Sequence, residues 1–97
     1  MSEITLRTFA RATQTSVASS TSSVDLVAAN LARKAILIQN TSTSIVYLLF
    51  GGGTATATTA HSVQLAANGS YAIEGFTGAV SAIWVAANGQ ANITQFE

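Results

Sequence analysis

The sequence predicts an all-β chain, a single antiparallel β-sandwich or jelly-roll-like domain of about seven short strands. Three observations predict it. Short runs rich in Val, Ile, Leu, Thr and aromatic residues alternate with breaks made of Gly, Asn, Ser and Thr. Two of those breaks are Asn-Gly pairs, Asn68-Gly69 and Asn88-Gly89, the dipeptide best suited to a tight reversal. There is no Pro and no helical period of useful length; the abundant Ala sits among β-branched and aromatic residues, where tertiary packing overrides its helix preference.

Residues 1–16 form an N-terminal arm or edge strand, set apart from a β-sandwich domain over 17–97. In the arm Ile4, Leu6 and Thr8 alternate with Thr5, Arg7 and Phe9, a period-2 signal. Ser16 to Ser23 is Ser/Thr-rich and reads as a loop or polar edge strand. Val24 to Ala28 is a short strand, closed by a turn at Ala29-Asn30-Leu31-Ala32. Arg33 to Asn40 is a strand with Ala35, Leu37 and Gln39 on one face and Ile36, Ile38 and Asn40 on the other; both faces are apolar in the middle, as in a central strand. Asn40 to Ser44 is built from residues that hydrogen-bond their own backbone, so this strand and Ile45–Phe50 read as a hairpin. Gly51-Gly52-Gly53 ends the second strand, and Thr54–Ala60 reads as a mobile low-complexity loop. Val63–Ala67 with Ser70–Glu74, and Val80–Ala87 with Gln90–Phe96, read as two further hairpins around type I′ Asn-Gly turns, linked by Gly75–Gly78.

From Ala35 to Phe96 the only charged side chain is Glu74, and over the whole chain charged residues make up 8%. An ordinary domain is about a quarter charged. A surface so poor in charge predicts cover by other copies of the chain or by a large partner. The net charge is zero and the four basic residues, Arg7, Arg11, Arg33 and Lys34, all lie in the first third, which leaves no basic groove for nucleic acid. With no Cys there is no disulfide framework, zinc knuckle or thiol chemistry. Met1-Ser2-Glu3 does not open a secretory signal, and the longest apolar run, Ile45–Phe50, is far short of a membrane helix. The expectation is folding in a cytoplasm, with no membrane partner.

The supply of catalytic groups is thin. His61 is the only histidine and has no carboxylate near it in sequence; Glu3, Asp25, Glu74 and Glu97 show no acid/base spacing. Gly51-Gly52-Gly53-Thr54 lacks the Lys-Ser/Thr ending and following helix of a phosphate loop. No enzyme, cofactor or metal is expected. Tyr47 and Trp84 lie in apolar runs and read as core, whereas Phe76, in a Gly-flanked turn, reads as an exposed anchor. A sugar-binding face of Phe76 with Tyr71 or Trp84 is the alternative use of these rings. Arg7, Phe9 and Arg11 share one face of an extended arm, and Arg is the cation suited to interfaces. Arg7, Phe9, Arg11 and Phe76 are therefore the candidate interface residues.

At RKAILIQNTSTSIVYLLFGG and LAANGSYAIEGFTGAVSAIWVAANGQANITQFE the chain resembles small β-rich virion proteins of tailed bacteriophages. The shared pattern is a basic residue, an apolar strand, Asn-Thr-Ser, a Val-Tyr-Leu strand ending in Gly, then a Leu-x-x-x-Gly-x-Tyr segment and a last strand pair. The similar part runs from Arg33 to Glu97. The resemblance implies a capsid decoration or cement protein in the virion. Such a protein acts as a homo-oligomer, with a trimer favoured, and binds the major capsid protein or another virion protein. A tail, spike or fibre component, or a small carbohydrate-binding sandwich, is the alternative.

Overall fold

A computed structural model describes residues 10–97. They form eight strands: β1 (Ala12–Ala18), β2 (Val24–Val27), β3 (Ala35–Asn40), β4 (Val46–Phe50), β5 (Val63–Leu65), β6 (Ser70–Glu74), β7 (Val80–Trp84) and β8 (Gln90–Phe96). Two antiparallel four-stranded sheets result, sheet A in the order β1-β8-β3-β6 and sheet B in the order β2-β7-β4-β5. The pairs β1·β8, β2·β7, β3·β6 and β4·β5 fall alternately in A and B. The chain is thus one long folded ribbon, rolled so that successive strand pairs land on opposite sheets. That winding is the jelly roll, and the all-β sandwich expectation holds.

The strand added to the expected set is β1. It runs through Ser16, where the sequence divides arm from domain, and pairs with β8 over its full seven residues.

The core follows from alternation. Ile36 and Ile38 on β3 and Ala91 and Ile93 on β8 face Val46 and Leu48 on β4, Leu65 on β5, and Val80, Ala82 and Trp84 on β7; Leu26 and Val27 close the β2 side. Each fully buried aliphatic side chain contributes about 1.5–3 kcal/mol relative to exposure. The opposite face of β3 is not buried in the same way: Leu37 and Gln39 are exposed. Trp84 is core, as its run predicts. Tyr47 is not: it points away from Val46 and Leu48 on the outer face of sheet B, where its ring meets that of His61 at 4.9 Å.

Three segments that read as hairpins are arches between the sheets. β3 and β4, β5 and β6, and β7 and β8 each split between A and B; among the described residues β4 and β5 are the only consecutive strands that pair. The strand before Asn68 ends at Leu65, so the connection is four residues, Ala66–Gly69, rather than two. It closes with the Gly69 N–H donating to Ala66 O at 2.9 Å, with Asn68 at φ 64° and Gly69 at negative φ. A positive φ at the third position only is type II geometry, not I′. At the other Asn-Gly pair neither residue has positive φ. There Gly89 is required for a different reason, because a Cβ on it would come within 2.7 Å of Ser42 Cβ.

A buried polar hub locks this arch end. Asn40 is fully buried. Its Nδ2 donates to Ser44 O (2.8 Å), Ala66 O (3.1 Å) and, longer, Leu65 O (3.3 Å). Its Oδ1 accepts from Ser42 Oγ (2.7 Å), Ser42 N (3.2 Å) and Trp84 Nε1 (3.3 Å). One side chain thereby ties two connections, β3–β4 and β5–β6, to the core indole.

The Thr/Ala segment expected to be mobile is hydrogen-bonded. Thr56 N donates to Ala60 O, Thr56 Oγ1 accepts from the Thr59 and Ala60 amides, and Ala55, fully buried, donates its N–H to Ser23 Oγ. The Thr56 carbonyl can only accept, so the facing His61 Nδ1, 3.0 Å away, carries its proton.

Candidate interaction surfaces

In sheet A, Ala12, Phe96, Ala35 and Glu74 lie in one row across all four strands. At or just beyond that row sit Arg11, Arg33, Lys34, Glu74 and Glu97. These are every charged residue among the described ones except Asp25, which lies on β2 of sheet B. One end of the sandwich therefore carries almost all of the charge.

Arg33 organises that end. It is 2% exposed, and its guanidinium donates to Phe76 O (3.1 Å), Gly78 O (2.5 Å) and Gln95 Oε1 (2.9 Å). Planar, multiply donating Arg suits such a carbonyl cage, binding the β6–β7 connection to the end of β8. Burial pushes the guanidinium below its ordinary value. Beside it, Asn30 Nδ2 donates to Glu97 Oε2 (2.7 Å) and, longer, to Gln95 Oε1 (3.3 Å). Arg11 Nη2 reaches Glu97 Oε1 at 2.6 Å. The hydrogen bond from Asn30, followed by that from Arg11, holds the Glu97 carboxyl below the usual carboxylate value.

Of the sequence-derived interface residues, Arg7 and Phe9 lie outside the described residues. Arg11 is exposed at the foot of β1, and its charge is engaged by Glu97. Phe76 is half-buried: its ring meets Phe50 edge-on at 5.4 Å, and Phe50 also contacts Tyr71 at 5.6 Å. It packs on the core margin rather than standing free as an anchor. With Trp84 2% exposed, its ring offers no open stacking face beside Phe76. Arg33, Asn30 and Glu97 form the site that the sequence reading did not single out. The contacts that define the site span 43 to 86 residues of chain, so no local spacing marks them.

The second surface is the outer face of sheet A. Away from the charged row it presents Gln14 and Ser16 on β1, Gln90, Asn92 and Thr94 on β8, Leu37 and Gln39 on β3, and Ser70 and Ala72 on β6. Its side chains are amides, hydroxyls and small apolar groups. Ser16 Oγ donates to Asn92 Oδ1 at 2.8 Å, and Gln90 Nε2 donates to the same oxygen at 3.0 Å. Among the described residues there is no cavity and no group of three or more His, Cys, Asp or Glu placed to hold a metal. The chain matches no family model, no curated protein and no solved structure.

Proposed function

We propose that this chain is a structural protein of a bacteriophage virion, a capsid decoration or cement protein that acts as a homo-oligomer, with a trimer favoured, and bridges subunits of the major capsid protein. The observation that carries the reading is the uncharged outer face of sheet A, with the charge of that sheet gathered at one end. A β surface of amides, hydroxyls and small side chains costs less to desolvate than a charged one, and charged residues are depleted where surfaces bury each other. A protein that binds only the assembled shell stabilises it by mass action, and many copies on a lattice hold through avidity. The resemblance of Arg33–Glu97 to phage virion proteins supplies the biological setting.

The test is antibody labelling of particles of the phage that encodes the chain, compared between wild type and Gln39→Lys. Gln39 is exposed near the centre of the uncharged face, so the fold should tolerate the change. Label on heads that is lost in the variant supports the reading. Label confined to tails or fibres assigns the chain there instead, and particles free of label end the virion reading.

A further inference from the structure

The four sheet edges are not alike. An edge strand exposes unpaired backbone groups, and natural proteins blunt such edges with shortness, charge or bulges. β5 has three residues. β2 has four, carries Asp25 and shifts register between Asp25 and Val27. β6 ends on Glu74. β1 has none of these devices: it is seven residues, Ala-Thr-Gln-Thr-Ser-Val-Ala, uncharged, without Pro, and in unbroken register with β8. Six of the seven are exposed, so β1 gains little burial within its own chain.

The register shows which groups are open. Arg11 N donates to Glu97 O and Glu97 N to Arg11 O, and Ser19 N donates to Gly89 O. In an antiparallel ladder this alternation turns Thr13, Thr15 and Val17 toward β8 and leaves the N–H and C=O of Ala12, Gln14, Ser16 and Ala18 on the edge away from β8, where no described strand pairs.

We propose that this edge is a contact between copies of the chain, in which β1 pairs antiparallel with β1 of a second copy about a twofold axis at Thr15, joining two A sheets into one. The strand is self-complementary in that register. Ala12 meets Ala18 and Gln14 meets Ser16 as the hydrogen-bonded pairs; Thr13 meets Val17, and Thr15 meets Thr15, as the others. Arg11 falls opposite Ser19, so no like charges face each other. Thr–Thr and amide–hydroxyl pairs are favourable across strands, and an isologous contact is the commonest symmetry of oligomers. The contact deepens the homo-oligomer part of the function proposed above and needs no virion. A twofold contact is distinct from a threefold one; alone it closes a dimer, and with a threefold contact it closes a hexamer, and in either case its loss halves the mass.

The test is light scattering of the full chain over a concentration series, with circular dichroism to confirm folding. Thr15→Lys and Thr15→Glu each place like charges face to face at the axis. Each is expected to have half the wild-type mass, and an equimolar mixture of the two is expected to regain it. That rescue requires residue 15 to oppose itself, which no general loss of structure reproduces. Should a charge variant unfold, Gln14→Pro removes an outward N–H and one exposed side chain while leaving the bonds to β8, and should halve the mass alike. A wild type that stays monomeric throughout overturns both this contact and self-assembly in solution. An oligomer whose mass none of the variants changes, or charge variants that do not reassociate when mixed, overturns the β1 contact and leaves the homo-oligomer reading standing.

Discussion

Replacing Asn40 with Ala tests whether the arch end is held by one side chain. Asn40 makes six polar contacts, but its amide has two protons and Ser42 Oγ one, which it divides between Asn40 Oδ1 and Ser44 O at 2.9 Å. Contacts no longer than 3.2 Å reduce the set to Nδ2 to Ser44 O and Ala66 O, and Oδ1 from Ser42 Oγ and Ser42 N. At about 1 kcal/mol net for each neutral hydrogen bond, with Ser42 Oγ able to turn to Ser44 O, the loss is about 3–4 kcal/mol. The site is fully buried, so the carbonyls left behind gain no water in exchange. Against the 5–15 kcal/mol typical of a domain, that is a large part of the total stability. The assay is urea unfolding followed by fluorescence of Trp84, the single tryptophan, whose indole N–H itself faces Asn40 Oδ1. The midpoint should fall sharply, with the native emission altered. A loss below about 1 kcal/mol would refute the hub, because it would mean the two connections hold their geometry without it.

Trp84→Ala, which empties a core position 2% exposed, should cost about 3–5 kcal/mol in the same denaturation assay read by circular dichroism. Gly89→Ala brings a Cβ against the backbone and side chain of Ser42, where neither can withdraw, and should lower stability by about 1–3 kcal/mol; unchanged thermal unfolding would show that the arch yields. The Glu97 carboxyl, lowered chiefly by Asn30, contributes stability above its unfolded-state value, and that contribution is lost as pH falls through its folded-state value. A carbon-detected titration should therefore place its midpoint below that of an ordinary glutamate, and Asn30→Ala should raise it more than Arg11→Ala does.

The strands were legible because burial on one face writes period 2 into the chain. Ile36, Ile38 and Asn40 point inward as their alternation predicts. Pairing was less legible. An Asn-Gly pair fixes a local reversal and not the sheet in which the next strand lies. Neighbouring strands are about 4.8 Å apart and packed sheets about 10 Å, so connection length decides between hairpin and arch. The short apolar extension Ala66-Ala67 reads as strand and hides two residues of connection. Tyr47 misleads for a related reason: β4 is apolar on both faces, and His61 and the loop before it make a partial cover on the outer one. Arg33 reads as half of a basic pair heading a strand; its cage exists only after the β6–β7 connection and β8 arrive from the far end of the chain.

Charge depletion in this chain is not a by-product of burial. The buried set is ordinary, mostly Ile, Val, Leu and Ala with one Trp, and needs no sacrifice of charge at exposed positions. Yet Gln14, Ser16, Gln39, Ser70, Ala72 and Gln90 are exposed and uncharged, although Lys or Glu would fit any of them without touching the core. A freely soluble surface would mix charges there. The one end that does carry charge engages much of it within the chain, with Arg33 caged by carbonyls and Arg11 and Asn30 engaging Glu97. Charge in sheet A thus serves to knit the ends of strands, while the broad face and the β1 edge keep uncharged groups, which cost less to dehydrate than ionised ones and can be repaid by new hydrogen bonds. That division of labour is what a surface made to be covered requires, and it is why the edge without a blunting device is the place to look for the first contact.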